Sequence, residues 1–299
     1  MSPTLVILLV GSVVAASCAI LGCFLVLRRM ALLGDAISHA VLPGIVLAFL
    51  LTGSRSPLPM LLGAGALGLV TVFAVEVLTR TRRLAGDASI GVVFPALFSL
   101  GVILISRYAA QVDLDLDCVL YGEIAYAPWD LWLVGDSSLG PRALWINGAL
   151  LLANLAFVSL LWKELKLSTF DPELAAALGF SPVLLHYLLM GAVSVTVVGA
   201  FESVGAILVV ALLVVPPAAA FLLTDRLSTM LALAVGGGVI STLGGYALAR
   251  ALDASIAGSM ATVAGALFLL AFLLSPSHGV VSREWRRRRL AGAPAAPRS

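Results

Sequence analysis

Asp35 and His39 are the side chains in this sequence best equipped to do chemistry. They lie within Gly34-Asp-Ala-Ile-Ser-His-Ala-Val-Leu-Pro-Gly44. Four residues apart on a helix, they share one face, so a carboxylate and an imidazole project into the same space with Ser38 beside them. That pair suits a borderline divalent ion such as Mn²⁺, Fe²⁺ or Zn²⁺ and argues against soft Cu(I), which prefers sulfur. The surrounding residues are fit only for lipid, where ionisable groups are costly and by default mark an ion or substrate path. The alternative is a packing role, with Asp35 accepting a hydrogen bond from His39 in a closed interior. Two donors are too few for a complete site, whereas two copies facing each other would offer two oxygens and two nitrogens. Pro43 and Gly44 loosen the helix just beyond the pair.

The other reactive side chains are less well placed. Glu202 falls at an outer helix junction and, with Ser38, is a candidate for the path or gate; an interfacial role is the alternative. Glu76 lies four residues before Arg80, where an ion pair is the simpler reading. His186 and His278 fall near or beyond the inner boundary and are not expected to be ligands. Cys18, Cys23 and Cys118 form neither a CxxC pair nor a Cys/His cluster, so no thiolate site or disulfide framework is indicated. An intramembrane aspartyl protease would need a second Asp at the depth of Asp35, and the other spans offer none.

No phosphate loop of the form G-x-x-x-x-G-K-[ST] is present; the only lysines, Lys163 and Lys166, are followed by Glu and Leu. If transport here is driven by ATP, the ATPase is another chain and needs a cytosolic docking element. One stretch fits. Asp171-Pro172-Glu173 combines an N-cap, a proline at the first helical position and a first-turn acid. Leu174 to Leu178 are helix formers, and Gly179 followed by Pro182 ends the run. The sequence therefore predicts a short cytosolic helix at about 171–179.

The elements that must position these residues follow from composition. The chain has 299 residues, 61% hydrophobic and 11% charged, against about 25% charged in a soluble domain. An all-α polytopic membrane protein is expected. Runs long enough to cross a bilayer fall near 4–27, 32–52, 57–79, 88–106, 142–162, 183–201, 204–223, 229–250 and 256–274. Nine spans is the reading; the uncertain split around Phe201-Glu202-Ser203 leaves eight or ten as alternatives. The first run has no basic residue before it and Arg28-Arg29 after it, so it reads as a retained span and not a cleaved signal. With the amino terminus outside, only Arg55, Arg107, Arg142 and Arg250 of the 18 Lys and Arg residues lie outside, as the positive-inside rule requires. The carboxy terminus is then cytoplasmic. Residues 1–282 form a single transmembrane domain, and 283–299 a basic, disordered cytosolic tail whose Arg286, Arg287, Arg288 and Arg289 meet anionic headgroups.

Gln111 to Pro141 forms a long outer segment carrying Asp113, Asp115, Asp117, Glu123, Asp130 and Asp136. It is either an acidic mouth that concentrates cations or a solvated loop. The net charge of +2 gives no reason to invoke nucleic acid. Pro216-Pro217 inside the seventh span must interrupt its hydrogen-bond ladder, as a static kink in preference to a gating hinge.

Several of these stretches resemble a known family. The run Gly34 to Gly44 is similar to the signature of bacterial ABC-importer permeases for zinc, manganese and iron. Phe170 to Gly179, Glu202 to Val209 through Thr224-Asp-Arg226, and Leu274 to Gly279 resemble the same family, so the likeness covers nearly the whole chain. The resemblance implies the type II importer fold and two permease subunits, identical or related, around a central path. It also implies two cytosolic ATPase subunits and an extracytoplasmic metal-binding protein, in the inner membrane of a bacterium. No cofactor is permanently held: the metal is cargo, and ATP binds the partner. Under the resemblance, Asp35 and His39 contact the metal. Asp171, Pro172, Glu173, Leu174, Leu178 and Gly179 form the coupling helix. The outer segment around Asp117 to Glu123 is more like the manganese/iron branch than the zinc branch. A stand-alone secondary metal transporter is the competing function.

Overall fold

A computed structural model of the chain describes residues 2–40, 42–53, 57–81, 84, 86–109, 123–134 and 137–275. Helices dominate because an apolar solvent leaves the backbone no partner but itself. In chain order they are α1 (Pro3–Leu27), α2 (Ala31–Ala40), α3 (Leu42–Thr52), α4 (Pro57–Arg80), α5 (Gly86–Leu104), α6 (Arg142–Leu160), α7 (Trp162–Phe170), α8 (Pro172–Ala177), α9 (Pro182–Val204), α10 (Ala206–Leu223), α11 (Leu227–Leu252) and α12 (Ile256–Leu274). Among the described residues, nine spans are long and apolar enough to cross a membrane, with α2 and α3 together making one of them.

The first span is the centre of the molecule. Its helix is apolar on every side, the pattern of a helix buried all round. It packs against α6, α9, α10 and α11, and Phe24, Leu21 and Leu25 are fully buried. One small residue matters here. A side chain at Gly22 would collide with the Leu213 carbonyl of α10. That carbonyl has no α-helical donor, because the residue four positions on is Pro217. The Pro216-Pro217 interruption is therefore covered by the backbone of α1, and α10 stays helical through both prolines.

α1 ends in a Schellman motif. The Arg29 N–H donates to the Val26 carbonyl at 3.0 Å, and the Met30 N–H reaches back to Leu25 at 2.9 Å. Arg29 occupies the left-handed region, with φ +58°, a position glycine usually takes. The chain reverses there and enters α2. α3 restarts with Pro43 in its first turn, where a missing N–H is harmless, and approaches α4 closely: a Cβ on Gly44 would lie 2.5 Å from the Gly63 carbonyl oxygen. On α6, Asn154 donates at 2.8 Å to both Ser17 of α1 and Thr196 of α9, and Asn147 donates to Ser203 of α9 at 2.8 Å. These bonds tie three spans together where no water competes.

The structure adds three features to the expected topology. The split near Phe201-Glu202-Ser203 falls at Gly205, whose φ of +82° only glycine adopts freely, so α9 continues through Glu202. The fifth span, α6, is followed by a separate helix, α7, after a bend at Leu161, whereas the sequence pointed only to the helix beginning near Asp171. Between α5 and α6, Leu131–Val134 and Ser137–Pro141 pair as an antiparallel two-stranded hairpin, the one departure among the described residues from an all-helical chain. Asp113, Asp115, Asp117, Cys118, Asp136, His278, Arg286 to Arg289 and the whole 283–299 tail lie outside the described residues.

Candidate metal centre

α2 has two faces, and their composition places the acid and the imidazole. Leu33, Ala36, Ile37 and Ala40 are buried against α4, α5, α9 and α10. That packing turns positions 32, 35 and 39 the other way. Gly34 permits it, since a Cβ there would strike the Leu213 side chain of α10. Asp35 and His39 consequently stand on the open face, their side chains 49% and 36% exposed, with Asp35 Oδ1 3.6 Å from His39 Nε2.

That separation exceeds the 2.7–3.2 Å of a formed N–H···O hydrogen bond, and neither group is enclosed. The closed-interior alternative needs both a short bond and burial, and here neither is found. The carboxylate and the imidazole share one partly exposed face of α2, as a pair sharing an ion must. The imidazole also has an aromatic neighbour: the Phe94 ring of α5 lies 5.3 Å from His39, centroid to centroid, tilted by 42°, and Phe98 follows 6.5 Å beyond. Phe94 was not legible as a neighbour of the pair. Its i, i+4 spacing with Phe98 marks a helix face, but nothing in sequence says which helix that face meets.

The remaining candidates do not gather around the pair. Ser38 is buried, and its hydroxyl donates to the Asp35 carbonyl at 2.6 Å, so its proton is used within the helix. Glu202 sits in the last turn of α9, 57% exposed, and pairs with Arg142 at the start of α6 across 3.3 Å. Among the described residues, no three His, Cys, Asp or Glu side chains converge. At this pair, the described residues of one chain therefore offer two side-chain donors.

The short helix after Asp171 is built as its sequence implies. The Asp171 carboxylate accepts from the Leu174 N–H at 2.9 Å and caps α8. At the other end Gly179, with φ +88°, closes a second Schellman motif: its N–H donates to Ala176 and that of Phe180 to Ala175. Ala175 is the buried anchor, while Leu174, Leu178 and Phe180 are exposed outside the spans. Such a patch on a short helix suits a partner surface. Glu76 pairs with Arg80 at 2.6 Å, as the spacing predicts, and accepts from the Tyr187 hydroxyl of α9 at 2.5 Å.

Residues 4–275 match the family model described as the ABC 3 transport family. The chain is 49% identical to the manganese transport system membrane protein MntD of Bacillus subtilis (strain 168), over 94% of this chain and 95% of that one. It is 51% identical to the zinc transport system membrane protein TroD of Treponema pallidum (strain Nichols), over 94% of this chain and 76% of the relative. Among solved structures, PsaBC from Streptococcus pneumoniae in complex with Fab superposes with a TM-score of 0.76 at 31% identity, covering 94% of both chains.

Proposed function

The chain belongs to the ABC 3 transport family, and on that premise we propose that it is the membrane-spanning subunit of an ATP-driven importer of a divalent transition metal, Mn²⁺ in first place and Fe²⁺ or Zn²⁺ close behind. The observation that carries the reading is the Asp35/His39 pair: two ligating side chains on one open helix face, 3.6 Å apart and half exposed in a span otherwise fit for lipid. Manganese is favoured because MntD, named for manganese, is matched over nearly its whole length. An oxygen and an imidazole nitrogen also suit Mn²⁺, Fe²⁺ and Zn²⁺ alike, so selectivity needs donors beyond this pair.

Two donors held loosely make a waypoint, not a trap, and release is part of transport. A second permease copy, identical or related, completes the coordination by presenting its own pair across the path. Ser38 supports α2 beneath the ligands, and Glu202 stands at the path's rim. Two ATPase subunits on the cytosolic side supply energy through α8 and its flanks, from Asp171, Pro172, Glu173 and Leu174 to Leu178 and Gly179. An extracytoplasmic binding protein delivers the ion. The amino terminus is outside and the carboxy terminus inside a bacterial cell membrane; residues 1–282 are the permease domain and Arg286 to Arg289 of the tail meet anionic lipid. The contact of Arg28 with α7 supports placing these two segments on one side of the bilayer, as the charge bias does; the bias alone makes that side the inner one.

The test is direct. In proteoliposomes containing the permease with its ATPase partner, Asp35→Asn and His39→Ala should reduce Mn²⁺ uptake to background while the ATPase still co-purifies. Normal uptake by both variants overturns the assignment.

A further inference from the structure

At the cytosolic end of α1, one side chain crosses between parts of the chain about 140 residues apart. Arg28 Nη2 donates to Ser168 Oγ at 2.9 Å, and Arg28 Nε donates to Thr169 Oγ1 at 3.1 Å. Both acceptors belong to the last turn of α7, immediately before Asp171, which caps α8. Neither hydroxyl is loose: each also donates to the Leu165 carbonyl of its own helix, and Ser168 is buried. The guanidinium fork therefore grips a rigid turn with fixed geometry.

On its other side Arg28 is equally constrained. It is the C-cap of α1, the residue from which the Schellman reversal through Arg29 and Met30 begins. α2 starts at Ala31, and its second and third turns carry Asp35 and His39. A single side chain thus joins the root of the docking helix to the corner from which the ligand helix emerges. Among the described residues, no side-chain hydrogen bond from α8 itself reaches α1 or α2.

We propose that Arg28 is a positioning residue that transmits movement of the cytosolic docking helix to the Asp35/His39 helix, through its paired bonds to Ser168 and Thr169. The proposal rests on the docking role given to α8 above. When α8 is displaced by its partner, the last turn of α7 moves with it, because only Asp171 separates them. Arg28 is held at both ends, so the α1–α2 corner follows. Broken, the link leaves nucleotide hydrolysis running without reorienting the ligands. Lysine, a single point donor on a flexible stem, cannot reproduce the two-acceptor fork.

The experiment measures Mn²⁺ ions transported per ATP hydrolysed, using the full chain assembled with its ATPase partner in proteoliposomes. Arg28→Ala should keep ATPase binding and hydrolysis but lower that ratio about fivefold or more, the lower range of typical coupling between sites. Arg28→Lys should be only partly restored. Ser168→Ala with Thr169→Val, which removes the acceptors and spares Arg28, should lower the ratio similarly, and the combined variant should be no worse than either. A wild-type ratio in Arg28→Ala overturns the proposal, as do effects that simply add. If Arg28→Ala does not assemble, the Ser168/Thr169 variant carries the same prediction and the same refutation. Failure of the docking role is separately visible: Leu174→Asp with Leu178→Asp would then leave ATPase binding intact.

Discussion

An anion at membrane depth persists only where a cation, a polar partner or water compensates it. Asp35 has one nearby partner, His39, beyond ordinary hydrogen-bonding distance and with half of the carboxylate still uncovered. An unfilled arrangement of this kind is what a passing cation can use, and it explains why removing either ligand should abolish uptake without unfolding the chain. A second residue-scale consequence concerns Arg29. Its φ of +58° places a side chain where L-residues are strained by about 1–2 kcal/mol. Arg29→Gly should relieve part of this, raising stability by up to about 1 kcal/mol after glycine's own entropic cost. Thermal unfolding in detergent reads the shift; an unchanged or lower melting temperature would show that the arginine is held there by more than the turn requires.

At the scale of elements, α8 shows how little sequence is needed to build a short helix with exposed apolar side chains. Six helical residues are marginal in water, and this helix persists because both ends are closed, by the Asp171 carboxylate and by Gly179. Capping leaves Leu174 and Leu178 free to point outward. Replacing both with Asp should abolish co-purification of the ATPase and leave span packing unchanged, with Mn²⁺-stimulated hydrolysis lost in parallel. Retained binding would remove the docking role. The two halves of the second span divide the work differently. α2 carries the ligands on a face set by the burial of Leu33, Ala36, Ile37 and Ala40, while α3 locks to α4 through Gly44 and Gly63.

The whole molecule is arranged around α1, with the ligand helix to one side and the α11–α12 pair to another. Among the described residues, this leaves the Asp35/His39 face only partly covered, by Phe94 beside the imidazole, and half-exposed charge facing hydrocarbon would be costly. On the proposed function, a second permease would resolve both the solvation and the coordination. Native mass spectrometry of the assembled transporter should therefore return two permease chains with two ATPase chains. A complex that transports Mn²⁺ with one permease chain would overturn the shared-site reading.

Much of this protein was written locally. Span lengths, the positive-inside bias, the Asp-x-x-x-His spacing and the caps of α8 depend only on neighbours within a turn or two, so composition and periodicity determine them. The Glu76–Arg80 pair was legible for the same reason. Other features depend on which helix lies beside which, and in lipid that choice turns on packing of small residues that look alike in sequence. Only the tertiary structure brought Phe94 to His39, Gly22 to the carbonyl freed by Pro217, and Arg28 to Ser168 and Thr169. It also decided that the ligand pair stands open and not enclosed. The sequence by itself determined that an acid and an imidazole share one helix face and that a capped short helix follows Asp171; the fold decided that Arg28 reaches the turn before that helix, because a contact spanning about 140 residues leaves no trace in local pattern.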